Sequence, residues 1–335
     1  MNSDKVNIDK MEVSPRIAIT GSTGHLGSVL IPMLVERGYL LNCLYRKNRL
    51  PEKSNQVNWI QGDLKNVEEL ESLFQDAKIL IHCASVISVG EDNRDEVYEI
   101  NIKATEKLIA HCVERMIRLV YISSSTATTP DNAERILDEK APWVTSKEFF
   151  YGWSKARAEE RILSAVADSG LDAIILRPTA LIGPPDDQPS RFGGTILDLY
   201  TGRLPMISSG GYDLLDIRDF SQTVINSLDK AEKGEIYVTG GYFYTLKELA
   251  RTVNSARVPP VISINLLLFL LPLIRLYQKF VPLRWPINRE SLLTIKQGPN
   301  QVDSTKAREQ LGHQCRPLEE SVRDLIHWMK NKEQI

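Results

Sequence analysis

The chain has 335 residues with 41 Lys or Arg and 43 Asp or Glu, which gives a formal net charge of −2. That balance argues against a protein held on nucleic acid mainly by charge. Hydrophobic residues make up 42% and charged residues 25%, so the composition excludes wholesale disorder and fits one large or two smaller globular domains.

The four cysteines are far apart in the sequence and include no C-x-x-C pair: Cys43, Cys83, Cys112 and Cys315. A zinc site or a disulfide framework needs tighter clustering, so we predict no metal site and four free thiols. Free thiols are typical of a reducing compartment, and the polar residues 1–15 lack the apolar run of a secretory signal. The sequence therefore predicts a cytoplasmic protein with flexible ends at 1–13 and 331–335.

Short apolar runs alternate with amphipathic stretches through the first half of the chain. The apolar runs predict strands at Arg16–Thr20, Leu40–Tyr45, Val57–Gln61, Ile79–Cys83, Leu119–Ser123 and Ala173–Arg177. The amphipathic stretches predict helices at Leu26–Glu36, Val67–Phe74, Tyr98–Arg115 and Ser154–Ala167. Apolar strands separated by helices are typical of a parallel sheet covered on both faces, and right-handed crossovers then favour a doubly wound α/β sheet.

The pattern loosens after Arg177. Glycine and proline punctuate residues 181–215, as expected of loops that build a pocket over the carboxyl edge of a sheet. Glu235–Thr239 looks like one more strand that returns to the sheet. We therefore predict a sheet domain at 14–180, joined by 216–240, and a smaller, mostly helical substrate lobe built from 181–215 and 241–330.

One late segment, Val261–Ile274, is largely apolar. It carries Asn265 and Pro272 and is shorter than the roughly 20 residues needed to cross a bilayer, so we predict no membrane span. A buried helix of the substrate lobe is the simpler interpretation. A patch that docks peripherally on a membrane, or a mouth for apolar substrates, is the alternative.

The first predicted strand runs into a glycine-rich turn with the spacing G-x-x-G-x-x-G: Gly21, Ser22, Thr23, Gly24, His25, Leu26 and Gly27. Gly21 would allow a tight turn, Gly24 would let backbone approach a pyrophosphate, and Gly27 would let helix and strand pack closely. The N-terminus of the next helix then offers unpaired N–H groups to the anion. The pattern predicts a dinucleotide-binding (Rossmann) domain.

The second predicted strand ends at a basic run that includes Arg46, Lys47 and Arg49. About 20 residues beyond the glycine loop, an NAD enzyme usually places an acid that binds the ribose 2′-hydroxyl. Arg46 would instead pair with a 2′-phosphate, so the sequence favours NADP(H), with NAD as the alternative cofactor. The alternative interpretation of these basic residues is a solvated loop that binds no ligand.

Two further strand ends carry residues suited to a dinucleotide. Asp63 and Leu64 close the third strand, where a carboxylate can accept a hydrogen bond from the adenine amino group. Cys83, Ala84 and Ser85 close the fourth strand, where small residues let backbone lie against the cofactor. Either group alone would be ordinary turn chemistry.

Tyr151 and Lys155 are four residues apart at the start of a helical pattern, so both side chains share one face. A Tyr with its usual pKa of about 10 is a poor acid or base at neutral pH, and a nearby Lys cation would lower that pKa. Ser123, Ser124 and Ser125 follow the fifth strand, where a hydroxyl can hold a substrate oxygen beside the Tyr. Together these residues predict carbonyl reduction or alcohol oxidation. A Tyr–Lys pair on the surface of a helix and serines that only form a turn would give the same sequence.

These motifs resemble those of the extended short-chain dehydrogenases/reductases, the NAD-dependent epimerase/dehydratase superfamily, across nearly the whole chain. By that resemblance Ser125 is the catalytic serine and Ser124 the second choice. Tyr151 and Lys155 are then catalytic residues that also contact the cofactor. Two further motifs carry the resemblance: Asn101-Ile102-Lys103-Ala104-Thr105 and Leu176-Arg177-Pro178-Thr179. Asn101 matches the family's relay Asn. Pro178 and Leu181 would line the nicotinamide side of the site.

Within the superfamily the chain is most similar to the dihydroflavonol reductase and 3β-hydroxysteroid dehydrogenase-like branch, on the evidence of Arg46, the apolar segment and the closing pattern 302–308. The resemblance implies an NADP(H)-dependent oxidoreductase that interconverts a carbonyl and a secondary alcohol on a fairly apolar small molecule. A nucleotide-sugar epimerase or dehydratase using bound NAD(P) is the alternative, and a cofactor-sensing module is the third. Helices 98–115 and the one after Tyr151 would form a family-like homodimer, with a monomer as the alternative.

Overall fold

The computed structural model describes residues 15–46, 54–87, 93–132, 134–278, 280 and 288–332. Residues 1–13 and 333–335 of the ends predicted to be flexible lie outside the described residues, as do Lys47 and Arg49 of the basic run.

Strands and helices alternate along the described chain. The strands are β1 (Arg16–Thr20), β2 (Leu40–Tyr45), β3 (Val57–Gln61), β4 (Ala77–His82), β5 (Arg118–Ile122), β6 (Ile136–Leu137), β7 (Ala173–Pro178), β8 (Ala180–Ile182), β9 (Ile207–Ser208), β10 (Gly211–Asp216), β11 (Ile236–Thr239), β12 (Tyr242–Thr245), β13 (Val261–Ile262) and β14 (Gln301–Val302). The helices are α1 (His25–Glu36), α2 (Glu71–Phe74), α3 (Arg94–Tyr98), α4 (Thr105–Arg115), α5 (Phe150–Ser169), α6 (Arg191–Tyr200), α7 (Ile217–Lys230), α8 (Leu246–Val253), α9 (Ile264–Gln278), α10 (Arg289–Gln297), α11 (Thr305–Leu311) and α12 (Leu318–Asn331).

Seven strands of the described chain form one parallel sheet in the order β11-β7-β5-β4-β1-β2-β3. The chain runs outward from β1 through β2 to β3 and then crosses to the other side of β1 to form β4. Strand order therefore reverses between β1 and β4, where a doubly wound sheet opens a crevice at its carboxyl edge. This topology confirms the predicted doubly wound Rossmann fold.

Apolar layers cover both faces of the sheet. One layer packs α1 and α7 against it, with Leu30 and Val224 fully buried. The other packs α4 and α5 against the opposite face, with Leu108 and Ile162 fully buried. Burying both faces leaves the carboxyl edge as the place where the loops can bind a ligand.

A smaller, mostly helical lobe is built from chain segments before and after β11, whereas α11 of the segment predicted to belong to it packs into the core layer of α1 and α7. The three-stranded sheet of the lobe has the order β12-β10-β8, and a core of its own joins this sheet to α6, α8 and α12. Another small cluster joins α9 to α10 through Leu267, Leu271 and Leu292. A role of this lobe in substrate binding stays a prediction.

Two predicted helices differ from the structure. The stretch predicted as a helix at 67–74 is covered by 3-10 structure at Leu64–Glu69, interrupted at Asn66, and by the short α2. The two buried side chains of the 3-10 segment, Leu64 and Val67, are three residues apart, which suits the 3-10 repeat. The helix predicted at 98–115 begins at Arg94 and contains a π-helical turn, Glu99–Ala104, before α4.

The late apolar segment forms α9, which is only half buried. Leu267 and Leu271 are buried, whereas Phe269 is 79% exposed and Leu273 is 64% exposed. The expectation of a buried helix is therefore wrong for one face of α9. None of the helices in the described ranges has the length and hydropathy to span a membrane.

Candidate active site

The glycine loop after β1 packs tightly against the loop after β4. Gly21 has a φ of +72°, and a Cβ on it would stand 2.6 Å from the Ala84 amide nitrogen. A Cβ on Gly27 would stand 2.5 Å from the Gly21 carbonyl oxygen. Side chains at either position would collide with backbone, so the turn and the close helix–strand packing both require glycine here.

The same loop leads into the N-terminus of α1. Gly24 is the N-terminal cap, and no described side chain caps this helix end, which suits binding of an anion to the first N–H groups. Thr23 and Gly24 are exposed at the tip, whereas Leu26 is buried in the core. The His25 ring contacts the Gly183 carbonyl oxygen at 2.8 Å and so ties the loop to the segment after β8.

Arg46 follows the last residue of β2 at the same edge of the sheet. Its side chain is 63% exposed, and its Nη1 lies 3.7 Å from Glu96 Oε1 on α3. An exposed ion pair of this length contributes little free energy. The guanidinium can therefore exchange Glu96 for a phosphate at small cost.

The ends of β3 and β4 shape the rest of the crevice. The Asp63 carboxylate accepts a hydrogen bond from the Lys65 amide at 3.0 Å, while the Leu64 side chain packs into the core. The Ala84 amide donates to Thr20 Oγ1 at 3.3 Å, which joins the ends of β4 and β1. Burial raises the pKa of the Cys83 thiol to about 12, so this thiol is neutral.

The Tyr151 phenol lies at the first turn of α5 and shares hydrogen bonds with the hydroxyls of Ser85 and Ser124. Burial raises the pKa of Tyr151, and the Ser85 bond, the Arg191 charge and the Ser124 bond oppose that rise. The phenol therefore carries its proton at neutral pH. The serine beside it is Ser124, the second choice from the sequence, rather than Ser125.

Two local features hold the serine turn and the tyrosine together. A Cβ on Gly152 would collide with the Thr126 carbonyl oxygen, so only glycine lets α5 approach the turn 125–127 this closely. Within the turn, the Ser124 hydroxyl contacts Thr126 Oγ1 at 2.8 Å and accepts a hydrogen bond from the Thr126 amide. Gly152 was not predicted as a site residue, although it directly follows Tyr151 in the sequence.

The first serine of the run belongs to a buried polar network. The Ser123 hydroxyl donates to Glu159 Oε1 at 2.5 Å, and Trp143 Nε1 donates to Glu159 Oε2 at 2.8 Å. Arg177 Nη2 lies 2.6 Å from the same carboxylate, with Glu159 0% and Arg177 1% exposed. The network joins β5, α5 and β7 next to the serine turn.

Lys155 is 2% exposed and points at the end of β5. Its Nζ donates to the Ile122 carbonyl at 2.7 Å and to the Tyr121 hydroxyl at 3.3 Å, and it lies 4.6 Å from the centre of the Tyr121 ring. Burial lowers the pKa of Lys155 to about 8, although the charges of Glu159 and Cys83 raise it. Most of the lysine is still protonated at pH 7. Neither Tyr121 nor Glu159 was predicted as a neighbour.

Asn101, in the π-helical turn, connects the β4 loop to α5. Its Oδ1 accepts from the Val86 amide at 2.8 Å and from Ser85 Oγ at 3.3 Å. Its Nδ2 donates to the Val86 carbonyl at 2.9 Å and to Ser154 Oγ at 3.0 Å, and Ser154 Oγ donates to the Tyr151 carbonyl at 2.7 Å. Asn101 thus fixes both the helix turn that carries Tyr151 and one hydroxyl bonded to its phenol.

Pro178 and Leu181 lie where the sheet passes into the lobe. Pro178 ends β7 and pairs with Thr239 of β11, and Leu181 in β8 packs partly against the core layer of α1 and α7. Between them, Thr179 Oγ1 donates to Asp213 Oδ1 at 2.7 Å. Their contact with a nicotinamide stays a prediction.

Residues 17–240 match the model of the family described as the NAD dependent epimerase/dehydratase family. The chain is 27% identical to sterol demethylase protein B of Methylococcus capsulatus over 329 residues, covering 94% of this chain and 98% of that protein. It is also 27% identical over 341 residues to a Synechocystis sp. protein provisionally named dihydroflavonol 4-reductase, covering 96% of this chain and 98% of the relative.

A solved structure extends the likeness to three dimensions. The crystal structure of dTDP-glucose 4,6-dehydratase from Bacillus anthracis, in complex with NAD, superposes with a TM-score of 0.76 over 96% of this chain and 98% of that one. The two are 15% identical, so this likeness shows a shared fold.

Proposed function

Because this chain belongs to the NAD dependent epimerase/dehydratase family and is an NAD(P)-dependent enzyme of the extended short-chain dehydrogenase/reductase type, we propose that it interconverts a carbonyl and a secondary alcohol with NADP(H). The substrate is a fairly apolar small molecule. The observation that carries the proposal is the protonated Tyr151 phenol, bonded to Ser85 and Ser124 at the edge that also carries the glycine loop.

The residues at this edge fit a dinucleotide. The Gly21 and Gly27 positions leave backbone where a side chain would collide, and the uncapped N-terminus of α1 suits a pyrophosphate. Arg46 would hold a 2′-phosphate in place of its weak pairing with Glu96, which supports NADP(H) over NAD. The nicotinamide supplies hydride to the carbonyl carbon, or accepts it from the alcohol, when it is bound.

Tyr151 and Ser124 act on the substrate oxygen. In the reductive direction the Tyr151 hydroxyl donates its proton to the developing alkoxide, and the Ser124 hydroxyl donates a hydrogen bond to the same oxygen. In the oxidative direction the two groups hold the alcohol, and Tyr151 must give up its proton before it can accept another. Ser85 keeps the phenol in place because its own position is fixed by Asn101.

We expect Lys155 to favour the phenolate through its positive charge once the proton has left, although the charge that acts on the pKa of Tyr151 in this structure is that of Arg191. The Ile122 carbonyl and the Tyr121 hydroxyl hold the Lys155 ammonium at the end of β5. The pKa of about 8 leaves the ammonium charged at neutral pH, and Glu159 one helical turn later favours that charged form. The buried pair of Glu159 and Arg177 therefore supports the site without touching the substrate.

Side chains of the smaller lobe support the proposal that the substrate is apolar. The Tyr212 ring is partly buried and contacts Phe192 edge to face with ring centres 4.9 Å apart. Arg191, next to Phe192 in α6, acts electrostatically on both Tyr151 and Tyr212, so these groups line one region. The names of two relatives similar over almost their whole length, for a sterol and for a dihydroflavonol, also favour an apolar molecule.

A substrate screen tests the proposed reaction. NADPH oxidation is followed by absorbance with panels of ketosteroids, flavonoid-like ketones, aldehydes and nucleotide sugars, while melting temperature reports binding. We expect turnover with apolar ketones. If nucleotide sugars raise the melting temperature and are turned over while apolar ketones do neither, the chain is an epimerase or dehydratase instead.

The role of Tyr151 has its own variant. Tyr151→Phe is expected to lower turnover by about a hundredfold or more and to leave NADPH binding intact, since only the proton donor is removed. Ser124→Ala should lower turnover far more than Ser125→Ala, because the Ser124 hydroxyl is the one beside the phenol. Near-normal turnover by Tyr151→Phe would refute the assignment.

Cofactor choice depends on Arg46. Arg46→Asp is expected to lower the ratio of kcat/KM for NADPH over NADH by about tenfold or more, since a charge-assisted hydrogen bond to the 2′-phosphate is lost. Arg37→Asp makes the same charge change at the exposed end of α1, where Arg37 bonds to Gln222, and serves as the control. An unchanged ratio in Arg46→Asp would show that the basic loop does not read the cofactor.

A further inference from the structure

One side of α9 presents large apolar side chains to solvent. Of the twelve large hydrophobic residues exposed in the described chain, five fall within residues 266–280, and we call them the α9 face: Leu266, Phe269, Leu273, Leu276 and Phe280. Within the helix their spacing of three or four residues places them on one side. The other side carries Leu267 and Leu271, which pack against Leu292 of α10.

The α9 face is large for a monomer surface. Phe269 is 79% and Phe280 is 78% exposed. Together the five side chains expose an apolar area on the order of 600 Å², at the upper end for a soluble monomer and of the size that marks a protein or membrane contact. A stable protein–protein interface buries roughly 800 Å² on each partner, more than this face offers.

The sequence on both sides of α9 carries charges of one sign. The 41 residues from 249 to 289 contain no Asp or Glu, although 43 of the 335 residues are acidic. Arg251, Arg257 and Arg275 lie in this stretch and are exposed. An apolar stripe with Arg275 on the same helix and further cations near it in sequence complements an anionic lipid surface, whereas a second copy of the same face would bring like charges together.

The α9 face is connected to the candidate active site through one helix. Leu292 of α10 packs against α9, and Glu290 Oε1 at the start of α10 accepts a hydrogen bond from the Tyr151 amide at 3.3 Å. A surface in contact with lipid would therefore be separated by one helix, α10, from the turn of α5 that carries Tyr151.

We propose that the α9 face docks this protein peripherally on an anionic lipid bilayer. The helix lies in the plane of the interface, its apolar side enters the boundary between headgroups and acyl chains, and the flanking arginines contact anionic headgroups. With 15 residues α9 is too short to cross the hydrocarbon core. The inference concerns where the protein binds and does not depend on the reaction proposed above.

Vesicle sedimentation tests the proposal. The full-length protein is mixed with vesicles of phosphatidylcholine alone or with one third phosphatidylglycerol, and the pelleted fraction is measured. We expect binding to the anionic vesicles to exceed binding to the neutral ones. Phe269→Glu should lower the partition coefficient by about tenfold or more, because one large aromatic no longer enters the membrane.

Two further variants separate the two contributions. Arg275→Gln should weaken binding to anionic vesicles by about fivefold and leave binding to neutral vesicles unchanged. Met116→Glu makes the same kind of change as Phe269→Glu at a residue that is 90% exposed outside α9, and it should bind like the parent. Melting temperatures of all variants report whether each is folded.

Several outcomes would overturn the proposal. The parent protein could remain in the supernatant with both vesicle types, or folded Phe269→Glu could pellet as well as the parent. Light scattering tests whether a second copy of the chain covers the α9 face instead. A parent dimer that becomes monomeric in Phe269→Glu, without vesicle binding, would show that it does.

Discussion

Helices α5 and α9 depart from the usual distribution of side chains in opposite directions. α5 buries an ammonium and a carboxylate, those of Lys155 and Glu159, at 2% and 0% exposure. α9 exposes Phe269 and Leu273 at 79% and 64%. Charged groups are seldom fully buried and large apolar groups seldom cluster at the surface, so each helix carries a cost that folding alone does not require.

The comparison of α5 with α9 distinguishes side chains placed for a reaction from side chains placed for contact with another surface. The buried charges of α5 are satisfied by neighbours on β5 and β7, which fixes their geometry and their protonation. The exposed apolar groups of α9 fit the lipid surface proposed above as their partner. A buried charge therefore points to a reaction site, and an exposed apolar stripe points to a surface partner.

Removing one member of the buried pair should have the largest effect. Glu159→Gln leaves Arg177 charged and unpaired in the core, so we expect a loss of about 3–5 kcal/mol in the free energy of unfolding. Glu160→Gln, at the next residue, breaks a half-buried pair with Arg157 and should cost less than about 1 kcal/mol. Urea denaturation of both variants measures the contrast, and equal losses would remove the distinction drawn for α5.

Replacing the buried ammonium should affect activity more than folding. Lys155→Met keeps the length of the side chain but removes its charge, so turnover should fall by about a hundredfold or more while the melting temperature stays close to that of the parent. Activity measured alongside thermal unfolding checks both halves. Full activity without the ammonium would mean that the tyrosine needs no cation.

The same lysine predicts a pH dependence of stability. Its pKa is about 8 in the folded protein and near 10.4 when unfolded, so between these values the unfolded chain binds more protons. The free energy of unfolding of the parent, relative to Lys155→Met, should therefore rise on the order of 2 kcal/mol from pH 8 to pH 10. A constant difference over that window would show that the ammonium is not buried.

The smallest effect is expected on the exposed side of α9. Phe269→Ser removes a side chain that is mostly in water, so the free energy of unfolding should change by less than about 0.5 kcal/mol. Leu271→Ala on the opposite side should cost about 2–4 kcal/mol, because Leu271 is 5% exposed and packs against α10. Similar losses in both would mean that the apolar stripe stabilises the fold itself.

The sequence predicted the sheet and its glycine loop because these follow from local rules. The apolar runs at 16–20, 40–45 and 57–61 form strands with the same bounds, and Gly21 and Gly27 lie where backbone leaves no room for a Cβ. The 3-10 repeat at 64–69 was missed because its spacing of three resembles that of an α-helix at short range.

The identity of the serine beside Tyr151 and the burial of Glu159 depend on tertiary contacts that sequence spacing does not encode. Whether Ser124 or Ser125 meets Tyr151 is decided by the turn after β5 and by its approach to Gly152. Glu159 falls on an ordinary helical pattern, and only the position of Arg177 on a neighbouring strand shows that it is buried. The sequence left a buried helix and an exposed patch both open for α9, because a largely apolar segment has no polar side to mark solvent.

The network next to the serine turn has a consequence for how the protein can diversify. Ser123, Glu159 and Arg177 hold together one continuous stretch of chain, and Tyr151 and Lys155 lie within it. Residues of the smaller lobe, which this network does not include, can then vary while the arrangement of Tyr151 and Lys155 is inherited intact. Retargeting by grafting lobe segments from relatives is the protein-engineering route that this arrangement opens.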